Sequence, residues 1–130
     1  MNYAYGAFTT IINAPPAAIE DLLSIGSDTQ LNLYAGASTR YLFRLGGGFE
    51  PSSNIEVNLH GGTVGEFFTT SSGFSETSEV VVNIHSGKVG RFFEANAGSV
   101  VNIFGGEISS FFRARAASSI SPGVLLETSR

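Results

Sequence analysis

Four times in 130 residues, an aliphatic-Asn-aliphatic triplet is followed by a small-residue turn and, nine positions after the Asn, by two bulky apolar residues. The triplets are Leu31-Asn32-Leu33, Val57-Asn58-Leu59, Val82-Asn83-Ile84 and Val101-Asn102-Ile103. The pairs are Tyr41-Leu42, Phe67-Phe68, Phe92-Phe93 and Phe111-Phe112. A recurring spacing of this kind belongs to an array in which one small unit is stacked on the next. From Asn to Asn the steps are 26, 25 and 19 residues. The longer steps place their extra residues after the apolar pair, within 46–54 and 73–79. Insertions confined to one corner can bulge outward without breaking a stack.

Within the undecorated unit the pattern is strand, turn, strand, turn. Ser99 to Ile103 alternates as a short strand, and Phe104-Gly105-Gly106 forms a corner. Glu107 to Ala114 is one bent strand or two short ones, and 115–118 returns the chain to the next unit. No stretch of the unit shows the i, i+3, i+4, i+7 apolar spacing of a helix. Gly (16 residues) and Phe (11) are abundant, as suits short strands joined by tight turns.

Stacking brings equivalent positions about 4.8 Å apart, so columns follow from the alignment. Phe68, Phe93 and Phe112, with Leu42 above them, are expected inside. So are Val64, Val89 and Ile108, with Ser38 in the first copy, and the two aliphatic positions flanking each Asn. The first member of each pair (Tyr41, Phe67, Phe92, Phe111) has opposite parity and is expected as an exposed ladder. One Asn per unit at constant register is expected to form a ladder of stacked amides. Charges also align, as Arg40/Glu66/Arg91, Lys88/Glu107 and Glu94/Arg113.

The first thirty residues differ. Pro near the start, acids in the first turns and Gly at the end predict a short helix over 14–26 that caps the open end of the stack. At the other end Ile120-Ser121-Pro122 stands where a further triplet would fall, without the Asn. The expected organisation is one domain, with a cap over 1–28, repeat coils over 29–118, and a cap or truncated array over 119–130.

Val82-Asn-Ile-His-Ser-Gly-Lys-Val-Gly-Arg-Phe-Phe-Glu-Ala and Val101-Asn-Ile-Phe-Gly-Gly-Glu-Ile resemble the Val-Asn-Ile-x-Gly-Gly-x-Val-Gly-x-x-Phe-x-Ala repeats of large secreted or surface-exposed bacterial β-helix proteins. The resemblance covers about residues 26 to 118. It implies a right-handed parallel β-helix and an extracellular or cell-surface setting, and it implies no catalytic residues. Handedness also follows from the general bias of parallel crossovers. The expected fold is therefore all-β, a single-stranded right-handed parallel β-helix of about four coils with a short N-terminal capping helix.

Charged residues are only 14% of the chain, and its net charge is -4. No basic stripe is present, which argues against nucleic acid as a partner. No apolar run reaches the roughly 20 residues of a membrane-spanning helix, and no signal peptide is recognised. Gly46-Gly47-Gly48 lacks the Lys-Ser/Thr of a phosphate loop. The Gly-rich corners lack the Asp of calcium-binding nonapeptide repeats. No cofactor is expected.

Three functional readings differ in class. The leading one is a non-catalytic structural or interaction module of an extracellular or surface protein. The alternative is a carbohydrate-binding or carbohydrate-degrading β-helix, with a site beside the two insertions built from Glu50, Glu76 and Glu79; glycosidic chemistry would need two of these carboxylates about 5 to 9.5 Å apart. The third is self-association through the ladder of Tyr41, Phe67, Phe92 and Phe111, or end to end. His60 and His85 share one column, with Tyr34 before and Phe104 after. A metal is weakly indicated there because no third ligand has matching spacing, and a ring ladder is the favoured reading.

Overall fold

The computed structural model describes residues 8–46, 52–70, 77–96, 99–109, 113–114 and 119–122. These residues hold thirteen strands and no helix. In chain order the strands are β1 (Thr10–Ala14), β2 (Ser24–Ile25), β3 (Thr29–Leu33), β4 (Arg44–Leu45), β5 (Ser52–Leu59), β6 (Thr63–Val64), β7 (Thr77–Ile84), β8 (Lys88–Val89), β9 (Glu94–Ala95), β10 (Ser99–Ile103), β11 (Glu107–Ile108), β12 (Arg113–Ala114) and β13 (Ser119–Pro122).

All strand pairings are parallel. The largest sheet has the order β1-β3-β5-β7-β10-β13, so its strands follow the chain while skipping every strand of the other walls. A second wall runs β6-β8-β11 and is extended by a bridge from Ser38 to Thr63. The third comprises β2-β4 and β9-β12, joined through Thr69, which bridges to both Arg44 and Glu94. This is an all-β, parallel-strand architecture compatible with a β-solenoid.

The main sheet sets the register of everything else. Asn13, Asn32, Asn58, Asn83 and Asn102 are successive backbone partners, and the column ends at Ser121. Alternate residues point inward. Leu31, Leu33, Val57, Leu59, Val82, Ile84, Val101 and Ile103 are all buried. Against them pack the stacked rings of Phe43, Phe68 and Phe93, with centroids 5.9 Å and 5.0 Å apart, and the aliphatic pair Val64 and Val89. Burial of these side chains on the inside of three walls is the main source of stability.

Turn geometry repeats as faithfully as the strands. Asp28, Asn54 and Glu79 share positive φ (59°, 62° and 55°) at one corner, and Leu42, Phe67 and Phe92 share it at another (64°, 63° and 66°). The left-handed region suits Asp and Asn but costs a bulky residue about 1–2 kcal/mol. It is maintained at the second corner because Leu42 N donates to Glu66 O and Phe67 N to Arg91 O, tying each corner to the next layer. At the Gly-rich corner the layers approach so closely that a Cβ on Gly87, whose φ is 101°, would meet the carbonyl oxygen of Gly62.

Two sequence expectations are corrected. No helix spans 14–26. Instead β1 enters the main sheet, local turns follow (Ala17 N to Asn13 O, 3.0 Å; Leu22 N to Ile19 O, 3.0 Å), and β2 pairs with β4. Pro, acid and Gly are helix signals only locally, and pairing on both sides of the segment overrides them. Ile19 and Ile25 are buried in the core cluster, and Ile12, Ala17 and Leu22 pack against it.

The first repeat is also shifted by one residue. Ser38 pairs with Thr63, five positions after Leu33, whereas Thr63 and Lys88 stand four after Leu59 and Ile84. The corner after β3 therefore holds one extra residue, and its bulky pair is Leu42-Phe43, not Tyr41-Leu42. Phe43, not Leu42, heads the inner ring column. Buried Thr39, not Ser38, precedes Val64, with Gly65 N donating to its hydroxyl at 3.0 Å. Phe112 of the expected ring column lies outside the described residues.

Candidate functional site

Among the described residues three columns of side chains stand on the outside of the walls. The first is the amide column. Each Asn in the main sheet donates from Nδ2 to the Oδ1 of the preceding one: Asn32 to Asn13 (2.9 Å), Asn58 to Asn32 (2.9 Å), Asn83 to Asn58 (2.8 Å) and Asn102 to Asn83 (2.8 Å). Two residues before the Asn, and therefore on the same face, stand Gln30 and Glu56. Gln30 Nε2 donates to Glu56 Oε1 at 2.7 Å, Asn83 Nδ2 reaches Glu56 Oε2 at 3.2 Å, and Asn32 Nδ2 reaches Gln30 Oε1 at 3.1 Å. The Glu56 carboxylate is thus held by neighbouring amides.

The second column is a ring stack at the corner after the main sheet. Tyr34, His60, His85 and Phe104 lie face to face, with centroids 5.1, 5.1 and 4.9 Å apart and interplanar angles of 12°, 2° and 10°. The sequence alignment places the same four residues together. Burial of the His60 ring between its neighbours, and then the charge of His85, hold its pKa below the usual histidine value. Parallel imidazoles 5.1 Å apart direct their in-plane lone pairs side by side, so this geometry does not converge them on one metal. Among the described residues no group of three His, Cys, Asp or Glu is placed to hold a metal ion.

The third column follows the corner of positive φ. Phe67 and Phe92 stack at 4.8 Å and 6°, with Leu42 in the equivalent position above them. Tyr41 is not part of that ladder; it is exposed, with the Arg40 guanidinium 4.9 Å over its ring. Phe111 lies outside the described residues. Beside the ladder Arg91 donates from Nε and Nη2 to Glu66 Oε2 at 2.9 and 2.8 Å. Lys88 and Glu107 face each other at 4.0 Å, while Glu94 and Arg113 are backbone partners. Arg40 leaves the expected charge column because of the one-residue shift, which aligns Tyr41 with Glu66.

Of the insertion acids, Glu50 and Glu76 lie outside the described residues. Glu79 is exposed at the corner it shares with Asp28 and Asn54, where Asn54 Nδ2 donates to Asp28 Oδ1 at 2.9 Å. Sequence reading did not single out Asn13 or Glu56. Both carried a signal: Ile12-Asn13-Ala14 precedes Leu22-Leu23 by the same nine residues, and Glu56 shares parity with Asn58.

No helix of the described residues is long and apolar enough to cross a membrane. No family model, curated protein or solved structure matches the chain.

Proposed function

We propose that this chain is a non-catalytic structural or interaction module, a right-handed β-solenoid in which each step of the main sheet completes one coil. The observation that carries this reading is the use of outward polar groups. The amides bond to amides, the Glu56 carboxylate to amides, and Arg91 to Glu66. The ring faces within the Tyr34-to-Phe104 stack and between Phe67 and Phe92 are covered by neighbouring rings and not open to a sugar. Side chains spent on the neighbouring layer build a rigid spacer or scaffold and leave little polar chemistry to present to a substrate.

Right-handedness follows from the bias of parallel crossovers and from the resemblance of the repeats to those of bacterial surface β-helix proteins. The same resemblance supports an extracellular or surface setting. Two measurements on the purified chain test the reading. Light scattering over a concentration series reports self-association, and reducing-end or unsaturated-product release reports action on a polysaccharide panel. A defined mass without turnover is the expected result. Product release that is lost in Glu79→Gln would overturn it in favour of a carbohydrate-degrading enzyme.

A further inference from the structure

We propose that the stacked pair His60 and His85 is a proton-operated joint: the ring column holds one added proton, and the second drives the two imidazoles apart. The proposal is independent of the module's larger role. The two rings are 5.1 Å apart and inclined by only 2°, so a charge on each would sit face to face along the column. The outer faces of the pair rest on Tyr34 and Phe104. An aromatic face welcomes one cation, but neither Tyr34 nor Phe104 lies between the two imidazoles to screen one from the other.

The surrounding charges do not change this balance. On β5 the acid is Glu56, held by Gln30 and Asn83. On β7 it is Glu79, at the far end of the strand, beyond the bend. β8 and β11 supply Lys88 and Glu107, which face each other. β3, β6 and β10 carry no charged residue. Among the described residues no carboxylate forms a hydrogen bond or ion pair with either imidazole. A charge on one imidazole therefore opposes a charge on the other across the 5.1 Å stack, in line with the lowered pKa of His60, which burial and then the charge of His85 bring about. When both are charged, the column parts at its centre while the other walls remain paired through their backbones.

The experiment is an NMR titration of the imidazole C–H resonances from pH 8 to pH 4, on the wild type and on His85→Phe. Phenylalanine is chosen because Phe104 already occupies this column. In the wild type two separate steps are expected. Nuclear Overhauser contacts between the two rings should survive the first step and disappear in the second. In His85→Phe the His60 midpoint should rise toward the ordinary histidine value. Coincident midpoints in the wild type, an unmoved His60 in the variant, or ring contacts that persist at pH 4 would each overturn the proposal. Should His85→Phe lose its fold, as judged by circular dichroism at pH 8, His60→Phe provides the reciprocal reading: with no second imidazole to repel, the contacts between rings 60 and 85 must persist to pH 4, and their loss there would overturn the proposal.

Discussion

Asn58 receives a hydrogen bond from Asn83 and gives one to Asn32, all within a part-buried column. Replacing it with Ala leaves Asn32 Oδ1 without that donor, while Asn83 Nδ2 still reaches Glu56. The cost expected for one stranded acceptor is about 1–3 kcal/mol, read as a lowered urea midpoint at unchanged slope. At the same scale His60 sets a pH dependence. Its pKa is lower in the folded protein than the roughly 6.5 of an unfolded chain, so the folded state binds fewer protons in that window. Stability is then fully present above about pH 6.5 and declines as pH falls toward the folded value. His60→Phe should flatten that part of a melting-temperature profile; an unchanged acid slope would remove His60 as its cause.

Between neighbouring residues of one corner the inside and outside of the wall exchange. Phe68 is buried between Phe43 and Phe93, and truncation to Ala is expected to cost about 3–5 kcal/mol. Phe67, one residue earlier, is 43% exposed, and Phe67→Ala should cost about 1 kcal/mol, the value of its stacking on Phe92. Because Phe67 has φ of 63°, Phe67→Gly should melt no lower than Phe67→Ala, the reverse of the usual order in a strand. If Phe67→Gly proves the weaker variant, the corner is not left-handed in solution. The inner aromatic column was legible because Phe-Phe recurs at one spacing from Asn. The first repeat was misread where a single residue added to the corner after β3 moved the pair from Tyr41-Leu42 to Leu42-Phe43, each an aromatic beside a leucine. The expected helix over 14–26 failed for a related reason. Its Pro, acids and Gly are local cues, whereas Ile12-Asn13-Ala14 and Leu22-Leu23 repeat the spacing of the whole array and were masked by a weak, Ala-ended triplet. The insertion acids were visible as sequence, but loops of unlike length carry no period from which their convergence could be read.

Among the described residues the strand pairings run from one layer to the next, so strands with a neighbour on both sides should outlast those at the ends of the sheet. Native-state hydrogen exchange is expected to be slowest in β5 and β7 and fastest in β1 and β13, the two ends of the main sheet. Uniform protection would indicate a single cooperative block instead. The amide column gives this molecule one further property. Backbone hydrogen bonds between parallel strands alternate in direction and their dipoles largely cancel, but the side-chain amides from Asn13 to Asn102 all point the same way. Each carries a moment comparable to the roughly 3.5 D of a peptide unit, and in line they add. The stack is thus electrically polar along its axis, positive toward Asn13 and negative toward Asn102, and no single amide can reverse without setting oxygen against oxygen at one side and nitrogen against nitrogen at the other.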